Sequence, residues 1–168
     1  MLNKKICLLG SMAVGKTSLV SRFVSSIFSD EYLSTVGVKI SKKSIRADDQ
    51  DLNLMLWDLE GHDEYGEINI SYLKGAAGLL FVVDGTRGGT LSQVLEIRES
   101  ALKVVGPGTP HLFLMNKSDL RSEWQVSDAV LGALKARGCE ILEVSAKTGD
   151  NVEKAFELLA RSMLEAQR

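Results

Sequence analysis

Gly10-Ser11-Met12-Ala13-Val14-Gly15-Lys16-Thr17 is the stretch that decides the fold. It matches G-x-x-x-x-G-K-[ST], and it stands between an apolar strand-like run, Lys4–Leu9, and a helix expected from about Lys16 to Ser26. The chemistry needs this order. Glycines let the backbone wrap a β-phosphate so that several N–H groups point inward, and the N-terminus of the following helix reinforces them. Lys16 would place a cation on the β- and γ-phosphates, and the Thr17 hydroxyl is positioned for magnesium. The cradle residues expected are Gly10, Ala13, Val14, Gly15, Lys16, Thr17 and Ser18. Taken alone, the motif implies a nucleoside triphosphate and leaves kinases, ATPases and GTPases open.

Working outward, strand-like and helix-like segments alternate along the whole chain. Val38–Arg46 alternates apolar and polar residues, and Leu52–Asp58 pairs with it across the polar turn Asp48-Asp49-Gln50-Asp51. No crossover helix fits in that turn, so this pair is antiparallel. Leu79–Val83 and Leu112–Met115 are continuous apolar runs, as expected of strands buried on both faces. Leu91–Val105 reads as a helix ended by Gly106-Pro107-Gly108, and Ser127–Arg137 as another closed by Gly138. After a last strand, Glu140–Val144, the final helix is expected to start at Asp150 with Glu153 completing a capping box. The result is an α/β protein with a P-loop NTPase fold. Its sheet should have about six strands, mostly parallel with one antiparallel, and about five helices on both faces. Residues 1–168 read as one domain, with no repeat or linker.

Asn116-Lys117-Ser118-Asp119 follows a buried strand at the edge where open α/β sheets hold ligands. A carboxylate such as Asp119 accepts from both the ring N–H and the exocyclic amine of guanine, an arrangement adenine lacks. Such a site rejects the mismatched base by about 10⁴-fold or more. The Lys117 stem would cover one face of the base, and Asn116 would tie this loop to the phosphate loop. Ser145-Ala146-Lys147 closes the last strand, where a small residue lets the Ala146 N–H approach the guanine carbonyl.

Composition is that of a soluble globular protein: 45% hydrophobic, 25% charged and a net charge of −2, which does not favour nucleic acid as a partner. The longest apolar run, residues 76–83, falls far short of the ~20 residues a spanning helix needs. The run after Lys4 and Lys5 is too short for a signal peptide. Cys7 and Cys139 sit in separate apolar runs and read as two buried thiols in a reducing cytosol, so a cytoplasmic monomer is expected. Lys39, Lys42 and Lys43 read as charges guarding an edge strand, Trp124 as a ring capping a loop, Trp57 as packing beside the segment that follows it, and His111 as the start of a strand.

With these motifs in order, the chain resembles the Ras-like and Rab-like small GTPases over essentially its whole length. The resemblance implies bound GTP or GDP with magnesium, and an effector, an exchange factor and a GTPase-activating protein as partners. It makes Thr35 a magnesium ligand sensitive to the γ-phosphate, alongside Thr17, has Asp58 hold the ion through water, and places Tyr32 at the nucleotide and Phe28 beside the guanine. Asp58-Leu59-Glu60-Gly61 resembles the D-x-x-G of a second switch, whose Gly61 N–H would bond the γ-phosphate. The switches, around residues 28–38 and 58–73, would spring onto that phosphate and relax after hydrolysis. His62, Lys16 and Gly61 are thereby the catalytic candidates.

Three residues depart from the family pattern. His62 stands where most members carry the glutamine that orients water, which implies slow intrinsic hydrolysis. Glu60 replaces an alanine, and Met12 puts a long side chain where a small one is usual. No arginine lies in residues 27–38, so an arginine finger would come from a partner. A GTP-loaded scaffold that does not hydrolyse is the alternative reading; a P-loop kinase would leave the guanine-reading loop without a role. The chain ends at Ala166-Gln167-Arg168 without a prenylation cysteine, and its start, Met1-Leu2, excludes myristoylation. An unlipidated protein and a trimmed one both fit that ending.

Overall fold

A computed structural model describes residues 1–29, 37–59 and 69–168. The sheet strands are β1 (Leu2–Leu9), β2 (Val38–Ala47), β3 (Gln50–Leu59), β4 (Gly78–Asp84), β5 (His111–Asn116) and β6 (Ile141–Glu143). Their order across the sheet is β2-β3-β1-β4-β5-β6, with β2 antiparallel to β3 and all other neighbours parallel. Among the described residues the α-helices are α1 (Lys16–Ser25), α2 (Gly89–Val105), α3 (Asp128–Ala136) and α4 (Val152–Glu165). Two 3-10 segments, Ile70–Leu73 and Ser118–Glu123, supplement them.

The uninterrupted apolar strands follow from burial on both faces. Side chains alternate along a strand, so Ile6, Leu8, Leu80, Val82, Leu112 and Leu114 face one layer of helices while Cys7, Leu9, Phe81, Val83, Phe113 and Met115 face the other. On the first face α1 and α4 pack through Phe23 and Phe156, whose rings stack at 3.9 Å between centroids with an interplanar angle of 4°. On the second face α2 contributes Val94 and Ile97, and α3 contributes Leu131 and Leu134. From β1 the chain runs out through α1 to β2 and β3 on one side, then crosses to β4, β5 and β6 on the other, so a crevice opens at the carboxyl end of β1.

Several local expectations are revised. The hairpin turn is only Asp48-Asp49, both at positive φ (47° and 63°), while Gln50 and Asp51 already pair with Ala47 and Arg46. Two left-handed residues in succession make the kind of turn whose twist matches the strands, so no longer polar loop is needed. No capping box forms at the last helix. It begins at Val152 behind Asn151 (φ 58°), which makes no side-chain cap; Glu153 instead pairs with Lys43 at 3.0 Å. The Asp150 carbonyl accepts from the Ser145 N–H, and the Asn151 amide donates to the Glu143 carbonyl, so both residues are committed to the loop. Both cysteines are free, Cys7 buried with its thiol pushed up to about 12 by burial, Cys139 only half-buried. Ser127 caps α3 through the Val130 N–H, and Gly138 (φ 89°) follows its last turn as expected.

His111 does begin β5. Its Nε2 accepts from Arg98 Nε at 3.0 Å while Nδ1 lies 2.9 Å from the Thr109 carbonyl, which makes Nδ1 the protonated nitrogen. Burial, together with the Arg98 charge, holds its pKa below the ordinary value, although the Thr109 bond and Glu140 pull the other way. A histidine kept neutral when folded binds fewer protons than the unfolded chain just below the unperturbed value of about 6.5, so its contribution is lost as pH falls through that range. Chemical denaturation at pH 7 and pH 5 is expected to show a smaller acid loss of stability in His111→Gln than in the parent protein.

Candidate functional site

The phosphate-binding motif is the turn from β1 into α1, at the mouth of the crevice. Gly15 has φ 103°, and a Cβ there would collide with the Asn116 amide, so only glycine lets the two loops approach. Lys16 is 6% exposed; its ammonium folds over the loop and donates to the carbonyls of Gly10 (3.0 Å) and Ser11 (2.9 Å). Burial lowers its pKa to about 8, partly countered by Asp58 and deepened by Arg87. This cation is therefore held in a cleft against backbone carbonyls, a site suited to an anion. Ser18 follows in the first turn of α1, half-buried.

Thr17 Oγ1 hydrogen-bonds Asp58 Oδ2 across the crevice, bringing the hydroxyl and the carboxylate at the carboxyl end of β3 together. Asp58 is 1% exposed. A hydroxyl and a carboxylate converging beside a phosphate cradle are the hard oxygen donors that magnesium takes. Among the described residues no group of three or more acidic, histidine or cysteine side chains gathers to hold a metal alone. An ion here would rely on phosphate oxygens and water as well.

On the opposite side of the crevice, Asn116 stitches three loops together. Its Nδ2 donates to the Val14 carbonyl at 2.9 Å, and its Oδ1 accepts from the Ala146 N–H at 3.2 Å. Lys117 takes a left-handed conformation (φ 70°, ψ 40°) that turns the chain into the 3-10 segment carrying Asp119. Asp119 is exposed at the rim, and Ser145 Oγ donates to its Oδ1 at 2.7 Å. Arg22, on α1, pins the neighbouring loop by donating to the carbonyls of Ala146 (2.8 Å) and Lys147. Phe28 is half-buried and packs against the core cluster that α1 and α4 share with the sheet.

A further turn, residues 84–88, joins the two ends of the site and was not anticipated. Asp84 closes β4 beside Asn116 in register and is 1% exposed. Lys117 Nζ reaches its Oδ2 at 2.8 Å and Arg87 Nε at 3.0 Å, while Thr86 donates to Oδ1 through its N–H (2.9 Å) and hydroxyl (2.7 Å). Burial alone would raise the Asp84 carboxyl, but these bonds hold it below the usual carboxylate range. The signal for it was an acidic residue ending an otherwise apolar strand at the ligand edge. Trp124 caps the base loop: its Nε1 donates to the Lys117 carbonyl at 2.9 Å, and its ring lies where a Cβ on Gly85 would be.

Of the expected site residues, the structure brings Gly10, Ala13, Val14, Gly15, Lys16, Thr17, Ser18 and Asp58 to one side of the crevice. Asn116, Lys117, Asp119, Ser145, Ala146 and Lys147 stand at the other. Tyr32, Thr35, Glu60, Gly61 and His62 lie outside the described residues. Trp57 packs near Tyr72, with ring centroids 6.3 Å apart, and carries the Lys5 ammonium 3.6 Å above its ring.

A comparison with protein-family models decides the affiliation: the model of the Ras family matches residues 5–165. The chain belongs to the Ras family. Among its relatives, the Ras-related protein Rab-13 of Canis lupus familiaris is 30% identical over 161 residues, covering 95% of this chain and 79% of its own. The Ras-related protein YPT3 of Nicotiana plumbaginifolia is 36% identical over 153 residues, 90% of this chain and 70% of its own. RABA1c of Arabidopsis thaliana is likewise 36% identical over 154 residues, 90% of this chain and 71% of its own. The family is one of small GTPases, whose members bind GTP or GDP with magnesium. Its fold agrees with the six-stranded sheet described above. Among the described residues of this Ras-family chain, no helix is long and apolar enough to cross a membrane.

Proposed function

We propose that this protein is a GTP/GDP switch with slow intrinsic hydrolysis, which recruits an effector through residues around 28–38 and 58–73 when GTP-loaded. The observation that carries this reading is the pair of half-sites joined through Asn116: a buried lysine in a glycine-rich cradle on one side, and on the other two adjoining loops that bear Asp119 and Ala146. The backbone of residues 10–18 cradles the phosphates, and Lys16 exchanges its carbonyl partners for β- and γ-phosphate oxygens. Thr17 and Thr35 would hold magnesium directly and Asp58 through water, and the ion would screen phosphate charge. Asp119 reads the guanine edge with Ser145 holding its carboxylate; the Lys117 stem and Phe28 flank the ring, and Ala146 and Lys147 close over the guanine carbonyl. Tyr32, Thr35 and Gly61 supply the γ-phosphate contacts that distinguish the two states.

His62 orients the attacking water in place of glutamine, with a shorter reach. Exchange and activation are assigned to separate proteins, the latter supplying the arginine. Single-turnover GTP hydrolysis with magnesium, alongside GDP and GTP affinities, tests this. His62→Gln is expected to hydrolyse roughly tenfold faster, on the order of one well-placed hydrogen bond to water. Tight GTP binding with no hydrolysis in either protein would leave a loaded scaffold instead, and failure to bind guanine nucleotide would sink the whole reading.

A further inference from the structure

The Met12–Ala13 peptide is the weak point of the phosphate loop. Ala13 sits at φ 61°, a region where a Cβ is disfavoured and which glycine occupies at no cost. Rotating this peptide would return Ala13 to negative φ, and it would also swing the Ala13 N–H out of its present direction. Such a conformation persists only where surroundings over-determine it.

One contact from outside the loop does so. Arg87 Nη2 donates to the Met12 carbonyl at 2.7 Å, while its Nε is fixed to Asp84 at 3.0 Å. Asp84 is itself immobilised by Thr86 and by Lys117 of the base loop. The backbone contributes too, with the Arg87 N–H bonded to the Asp84 carbonyl at 2.9 Å. The Met12–Ala13 bond is trans, so the Ala13 N–H points away from the guanidinium.

We propose that Arg87 is a positioning residue that holds the Met12–Ala13 peptide, keeping the Ala13 N–H on the phosphate side of the loop and prolonging nucleotide residence. This rests on the reading of residues 10–18 as a phosphate cradle. Arginine is required because one planar guanidinium spans a carboxylate and a carbonyl on different segments, which a lysine point charge does not. Through the shared Asp84 carboxylate, the strut ties the loop that reads the base to the loop that holds the phosphates.

The test is dissociation of fluorescently labelled GDP from the magnesium-loaded protein, followed in the parent, Arg87→Ala, Arg87→Lys, Ala13→Gly and the combined Arg87→Lys/Ala13→Gly. Arg87→Ala and Arg87→Lys are each expected to speed release about tenfold, the scale of one lost hydrogen bond to a charged group. Arg87→Lys retains a cation beside Asp84, so it decides the matter if Arg87→Ala does not fold. In the Ala13→Gly background the left-handed conformation carries no Cβ penalty. The Arg87→Lys effect should then shrink to about twofold, a coupling that a general structural role would not produce. Equal acceleration by Arg87→Lys in the parent and Ala13→Gly backgrounds, or unchanged release on replacing Arg87, would overturn the positioning role. Absence of GDP binding by the parent protein would instead overturn the phosphate-cradle reading beneath it.

Discussion

Asp119→Asn is expected to lower the affinity for GDP and GTP by about 10³-fold or more and to turn the site toward xanthine nucleotides. Guanine presents two donors on one edge, the ring N–H and the amine at C2, and a carboxylate answers both with acceptors. An asparagine amide offers one acceptor and one donor, so its NH₂ would face a donor of the base and both would lose their partner. Xanthine carries a carbonyl at C2, which the same NH₂ would satisfy. The surrounding structure tolerates the change. Asp119 is exposed, and its inner contact is the hydroxyl of Ser145 at 2.7 Å, which can donate to an amide oxygen or accept from an amide nitrogen. Competitive displacement of labelled nucleotide by GDP and XDP measures the switch. Undiminished GDP affinity in Asp119→Asn would mean that the guanine edge is read elsewhere.

The parts of this molecule that were legible in the sequence share a physical property: their residues are specified by constraints local to a few positions. A cradle of inward N–H groups needs glycine where backbone meets backbone, and Gly15 against the Asn116 amide is such a place. Strands covered on both faces must be apolar at every position, which is why Leu79–Val83 and Leu112–Met115 stand out without any periodicity. The antiparallel strand was readable because its hairpin is too short for a crossover.

What was not legible depends on which distant groups meet. Arg87 and Asp84 are ordinary turn residues until the sheet order places β4 between β1 and β5, whereupon the turn after β4 lies between the phosphate loop and the base loop. Arg22 is one more polar residue on α1 until its guanidinium meets the loop after β6. The capping box at Asp150 failed for the same reason: the carbonyl of Asp150 and the side chain of Asn151 answer to the loop of Ser145 and to Glu143, and Glu153 answers to Lys43 on the far strand. Local propensity was outvoted by tertiary partners. Ras-family membership extends across residues 5–165, and within that frame the contacts of Arg87 on the phosphate loop and Trp124 on the base loop are set by such meetings.

Asn116→Ala is the second substitution expected to have a large effect, because it strikes folding and ligand residence together. The side chain is 2% exposed and uses both ends of its amide: Nδ2 on the Val14 carbonyl, Oδ1 on the Ala146 N–H. Alanine would leave a buried carbonyl and a buried N–H unanswered at once, at about 1–3 kcal/mol each. Unfolding free energy should fall by about 2–5 kcal/mol, and release of GDP should quicken by about 10²-fold or more, because phosphate loop and base loop would no longer move as one body. Asn116→Asp separates the two bonds. Its carboxylate still accepts from Ala146 but faces the Val14 carbonyl with no donor, so the loss should fall on the phosphate side. Denaturant unfolding and labelled-GDP release, measured on both variants, are the readouts. If Asn116→Ala unfolds as the parent does and releases GDP no faster, the stitch is dispensable, and the two halves of the site are held together by the Asp84 turn and by Arg22 on the loop after β6.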